Sequence, residues 1–211
     1  MLSFLRFGVI LSFLFSVLSL SILVLKTFSF GKKPLYAEPR GDGKKGVFYA
    51  FGWGMMPWEK ESAGKHLPTY IAGILYHAGI FATLFYLLSL IFSFELSDPF
   101  IPLLRLLFIL GFICGFALFF KRIFLSSMRK ISCPDDFASN TIVDLFLIFA
   151  FVHTYSVSAA PLFFLLAIIM FLYIPVGKIR HCFFFFYART LFGLFYGRRD
   201  ILPPKKIKFK A

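Results

Sequence analysis

The chain has 211 residues, of which 59% are hydrophobic, 21% aromatic and 16% charged, with 33 phenylalanines. Water-soluble domains of this length are far less apolar, so the composition excludes a soluble globular protein and predicts an integral membrane protein. The formal net charge of +13 is gathered in a few stretches, which points to one basic membrane face and not to nucleic acid. Three scattered cysteines, Cys114, Cys133 and Cys182, form neither a CxxC pair nor a CxxCH, so no zinc site and no covalent c-type haem attachment is expected.

Residues 4–25 form one apolar run of about 22 residues, enough to cross a hydrocarbon core of about 30 Å. A cleaved signal peptide has a shorter apolar core with a small-residue cleavage site close behind. Here the run is longer and Lys26, Lys32 and Lys33 follow it, so the segment is expected to remain as a first membrane helix. Residues 26–65 are the long polar stretch, rich in Gly, Pro and Lys, and predict a loop. The GDGKKG within it lacks the preceding strand and the spacing of a phosphate loop. Trp53, Met55, Met56, Pro57 and Trp58 read as an interfacial stretch, since Trp collects at headgroup depth.

A second membrane helix is predicted over 67–94. The acidic break ELSDP follows, and Pro99 suits the first turn of a third helix over 100–120. That helix contains Arg105 and two glycines, Gly111 and Gly115, that predict close helix approach. Pro134, Asp135 and Asp136 give a start signal for a fourth helix, over 138–157, which holds Asp144 and His153. Asp144 reads equally as a proton-handling group or as a hydrogen-bond partner between helices. A fifth helix is predicted over 161–176. In 177–211, Arg180, Arg189, Arg198 and Arg199 flank aromatic clusters too short to span again, which reads as an amphipathic interfacial segment with a basic tail. The predicted fold is an all-α integral membrane protein: a single membrane domain over 1–211, built as a five-transmembrane-helix bundle with a C-terminal interfacial amphipathic segment.

Five crossings put the 26–65 loop, the 121–135 loop and the C-terminal tail on one side. These carry nearly all the positive charge, whereas ELSDP and SVSAA on the other side carry none, so the N-terminus is expected outside and the C-terminus in the cytoplasm. The basic face, including Lys205, Lys206, Lys208 and Lys210 of the tail, suits an acidic partner surface or anionic lipid headgroups.

The histidines are four: His66, His77, His153 and His181. His66 and His77 lie eleven positions apart, a return to nearly the same helix face with a rise of about 16 Å. Ionisable side chains inside a membrane segment are expensive, and imidazole is a common axial ligand of haem iron. On the expected topology His66 and His181 share the cytoplasmic level, while His153, about 22 Å into the fourth helix, comes near the depth of His77. The histidines therefore sort into two pairs, His66 with His181 and His77 with His153, as two stacked bis-histidine b haems would require. Other readings stand beside this: His66 and His181 as ordinary interfacial or lipid-facing side chains, and His77 and His153 as hydrogen-bonded links between helices. Gly73 and Gly79 flank His77 and leave room either for a flat macrocycle or for helix packing, and Arg105 is placed to meet a haem propionate.

RKISCPDDF before one membrane helix and FLYIPVGKIRHCFFFF at the end of another resemble segments of the gamma subunit of respiratory nitrate reductase. That family includes the membrane cytochrome b subunits of heterodisulfide reductase and of the sulfite-reductase-associated complex. The resemblance covers about residues 46–200. It implies a quinone-reactive dihaem cytochrome b in the inner (plasma) membrane of a prokaryotic cell, exchanging electrons between menaquinone or ubiquinone and a cytoplasmic iron–sulfur partner. It implies His66, His77 and His181 as ligands. The family pattern puts the fourth ligand on the last helix, where Phe163 and its neighbours offer none, so His153 substitutes from the fourth helix or the outer haem is absent.

A quinone head group needs hydrogen-bond partners, access from the lipid and closeness to a haem edge. His77, Arg105, His153 and Tyr155 are the outer-level candidates, with Glu95 and Asp98 as proton exits; Lys65, Tyr70 and the 53–58 loop are the inner-level alternatives. The rival reading from another class is a haem-free membrane anchor or assembly scaffold. A solute transporter is disfavoured, since neither inverted repeats nor broken midplane helices are evident.

Overall fold

The computed structural model describes residues 2–30, 38–59 and 61–204, without the side chains of 61 and 62. Lys32, Lys33 and the tail lysines Lys205, Lys206, Lys208 and Lys210 lie outside the described residues. Every element described is helical: α1 (Leu2–Ser29), α2 (Gly43–Phe51), α3 (Glu61–Lys65), α4 (Leu67–Phe92), α5 (Phe100–Phe124), α6 (Ser126–Lys130), α7 (Pro134–His153), α8 (Ala160–Tyr173) and α9 (His181–Gly197). Four of them, α1, α4, α5 and α7, are long and apolar enough to cross a membrane, and a fifth crossing exists only if α8 and the helix after it count as one broken span. The chain resolves into two compact units, one of residues 1–22 and 68–180, the other of 23–67 and 181–211.

In the first unit the elements follow from apolar runs, and small residues set where they touch. A Cβ added to Gly79 would lie 2.8 Å from the Cα of Gly111 and 2.8 Å from the carbonyl oxygen of Leu107, so α4 and α5 cross in backbone contact there. Without a water-driven force between helices in lipid, such close approach is what holds them. Gly8 of α1 sits against Ile168 of α8, and Phe13 packs edge-on against Phe171 with ring centroids 5.3 Å apart. The buried side of α1 is Val9, Ser12, Ser16 and Leu20, one helical stripe. Large apolar side chains such as Phe4, Phe7, Leu11 and Leu18 remain exposed, the pattern of a surface that faces lipid.

α7 begins four residues before the expected start. Cys133 is its N-cap, and the backbone N–H of Cys133 donates to Asp136 Oδ2 at 2.9 Å, which closes a capping box. Asp136 also receives Arg122 at 3.2 Å and Lys178 at 2.6 Å. Tyr173 donates to Asp135, so the end of α8 is tied to the start of α7.

The second unit is built on α2 and α9. The stretch expected to be a loop is helical over Gly43–Phe51 because Asp42 caps it, accepting from the backbone N–H of Lys44 at 2.8 Å. Its glycines meet those of α9: a Cβ on Gly46 would collide with the carbonyl of Gly193, and one on Gly197 would lie 2.9 Å from the Cα of Gly46. The backbone N–H groups of Arg40 and Gly41 donate to the carbonyl of Arg198, and Phe51 packs against Phe185 and Phe186. Thr27 and Tyr187 share a hydrogen bond of 2.8 Å between hydroxyls.

Candidate functional site

His77 lies ten residues into α4, about 15 Å from its start, and is exposed. Its Nδ1–H donates to the carbonyl oxygen of Gly73, 2.7 Å away. A carbonyl on Nδ1 fixes the tautomer in which Nε2 is the donor atom for a metal, the second-shell arrangement typical of ligating histidines. Gly73 precedes it by one turn, and a Cβ there would meet nothing within 4 Å. Gly79, by contrast, is spent on the contact with Gly111.

His153 is the last residue of α7 and is buried. Its Nδ1 is 2.8 Å from the hydroxyl of Tyr86, and its ring forms a cluster with those of Tyr86 and Phe163, at 5.7 and 5.8 Å. Tyr86 is nine positions beyond His77 on α4, which at about 100° per residue is the opposite face and about 13 Å further along the axis. The structure therefore does not bring His77 and His153 together. The early start of α7 carries His153 about 28 Å from the beginning of its helix, past the level of His77.

Arg105 and Tyr155 do meet. The guanidinium lies 3.8 Å over the Tyr155 ring, Nε donates to Thr154 Oγ1 at 2.9 Å, and an Nη donates to the Thr154 carbonyl at 2.6 Å. A cation on the last carbonyls of a helix satisfies groups that have no partner within the helix and complements its dipole. Arg105 thus has the C-terminus of α7 as its partner. Glu95 and Asp98 are exposed in the α4–α5 connection.

Midway along α7 lies a polar cluster. Asn140 Nδ2 donates to Asp144 Oδ2 at 2.7 Å and to the Gly115 carbonyl at 3.2 Å, with the Tyr76 hydroxyl 3.4 Å away. Gly115 is needed there because a Cβ would strike Asp144 Oδ1 and the Tyr76 ring. Asn140 and Tyr76 escaped the sequence reading. The four-residue spacing of Asp136, Asn140 and Asp144, running from the polar first turns of the helix into its apolar part, was the signal available.

In the second unit His66 occupies the turn before α4 and His181 opens α9, both exposed. Tyr49 donates to Glu59 Oε2 at 2.8 Å and Trp53 to Glu59 Oε1 at 2.9 Å, while the Trp53 and Trp58 rings stand 5.7 Å apart. Burial first, and then the Glu59 carboxylate, pushes the Tyr49 phenol up to about 12. Lys65 ends α3 and Tyr70 lies in the first turn of α4. Among the described residues no group of three or more His, Cys, Asp or Glu is placed to hold a metal ion. No family model, curated protein or solved structure matches the chain.

Proposed function

We propose that the chain is a membrane subunit of a redox complex, a b-type cytochrome that exchanges electrons with a quinone and with a partner on its basic side. The observation that supports it is His77, an exposed imidazole on a membrane-length helix, tethered through Nδ1 to the Gly73 carbonyl beside open space. Haem bound there would supply a reversible one-electron step. The chain's own part is to fix the ring and its tautomer. The first unit offers one such histidine; His66 and His181 stand in the second. On this reading the basic ends of α5 and α6, with Lys121, Arg122, Arg129 and Lys130, face the cytoplasm and an iron–sulfur partner, and the terminal reaction belongs to that partner.

A second reading, the haem-free anchor or scaffold, draws on a specific observation: His153 is spent on Tyr86, as a link between helices. Reduced-minus-oxidised spectra and a pyridine haemochrome assay of the purified protein separate the two. The cytochrome reading expects b-type haem that is lost in His77→Ala and reduced in Gly73→Phe, which fills the open space. Absence of haem from protein purified from its native membrane leaves the anchor.

A further inference from the structure

The polar face of α7 has no role in the reading above. Asp136, Asn140 and Asp144 lie at successive four-residue steps, so they share one face and descend about 12 Å from the basic end of the helix. Asp136 is held by Arg122 and Lys178, and deeper on the same face Asn140 donates to Asp144. Asp144 is 7% exposed, accepts from Asn140 through Oδ2 and is hydrogen-bonded to the Tyr76 hydroxyl.

The groups around Asp144 are neutral. α4 presents Tyr76, α5 presents the backbone of Gly115, and Asn140 comes from its own helix. Cys114 is the adjacent thiol on α5. The titratable group of α8 is Tyr173, which is bound to Asp135. The basic side chains of these helices are engaged elsewhere: Lys121 with Thr69, Arg122 with Asp136 and Arg105 with Thr154. A carboxylate buried in an apolar bundle without a cation neutralises itself by taking a proton. The neutral acid is a donor at the oxygen that carries its hydrogen, and the Tyr76 hydroxyl beside Asp144 is there to accept it.

We infer that Asp144 is a proton-binding site within the membrane, its Oδ1 protonated at neutral pH, loaded and unloaded from the basic end along the Asp136–Asn140 face. Loading adds one proton from water to the carboxylate and gives the neutral acid; unloading returns it the same way. The site ends there, because Phe146 and Leu147, fully buried, close α7 beyond it.

Infrared spectroscopy of the full chain in lipid tests this without haem. At neutral pH the protein should show a protonated-carboxyl C=O band that is lost in Asp144→Asn and moves to lower frequency when D2O replaces water. If Asp144→Asn fails to fold, the unmutated protein labelled with 4-13C-aspartate gives the same reading, as a shift of that band. A band that neither Asp144→Asn nor the aspartate label changes, or no band, overturns the assignment. A band that D2O leaves in place while the fold is intact shows a sealed structural acid and overturns the loading route.

Discussion

Asp136 Oδ2 and Lys178 Nζ, 42 positions apart, lie 2.6 Å from each other, and the same carboxylate caps α7 and receives Arg122. The start of α7 and the stretch after α8 therefore meet through this carboxylate at the basic end of the first unit. Asp136→Ala should remove the capping box and both ion pairs, costing about 1–2 kcal/mol from the cap alone. Denaturation in detergent measures it. Asp136→Asn, which keeps an acceptor for the Cys133 N–H, should cost less; equal loss in both would assign the role to charge.

Gly79 and Gly73 lie six positions apart on α4 and should respond oppositely to one methyl group. Gly79→Ala must push backbone from backbone and should destabilise by about 1–3 kcal/mol. Gly73→Ala meets open space and should be neutral, or gain up to about 1 kcal/mol from helix propensity. Thermal unfolding of the pair in one detergent makes the comparison.

The Tyr86–His153 bond joins α4 to α7. Tyr86→Phe should cost about 0.6 kcal/mol, the average for such bonds between membrane helices, and at most about 1.7. His153→Gln should leave any haem content unchanged, as measured by haemochrome per chain. Haem loss in that variant would mean that α4 and α7 take another arrangement when the cofactor is bound.

The Tyr49 phenol is held neutral in the fold, from an ordinary 10.0 up to about 12. A raised value means that the folded state binds the proton more tightly, so its contribution is whole below the ordinary value and is lost as pH rises through about 12. Trp53 shares the Glu59 carboxylate with it, and Trp58, the other tryptophan of the chain, packs on Trp53. Their fluorescence should therefore change in an alkaline step between about pH 10 and 12 that is absent from Tyr49→Phe.

Much of the first unit was legible because long apolar runs have few alternatives. The expected helices over 67–94 and 100–120 appear as α4 and α5 within a turn or so of their bounds, and Gly111 and Gly115 make the close approaches their spacing announced. What could not be read is rotation. α4 is apolar on every side, so nothing in its pattern says that Tyr86 faces inward and His77 outward. For α7, counting Pro134 as outside the helix moved His153 by four positions, about 6 Å. GDGKKG was read as part of a loop because the polar stretch around it is rich in glycine and proline, which are poor helix formers. Asp42 as cap and glycine against glycine supplied what propensity did not.

α8 is 14 residues long, about 21 Å of rise, against a hydrocarbon core of about 30 Å. Its outward stripe, Leu162, Leu165, Ile169 and Leu172, is correspondingly short. If α8 crosses without the helix after it, the bilayer on this side must thin, and thick bilayers resist thinning at a cost that grows with each ångström of mismatch. The protein is thereby sensitive to acyl-chain length: lipids with shorter chains should fit it best, and sterol-like thickening should press hardest on α8.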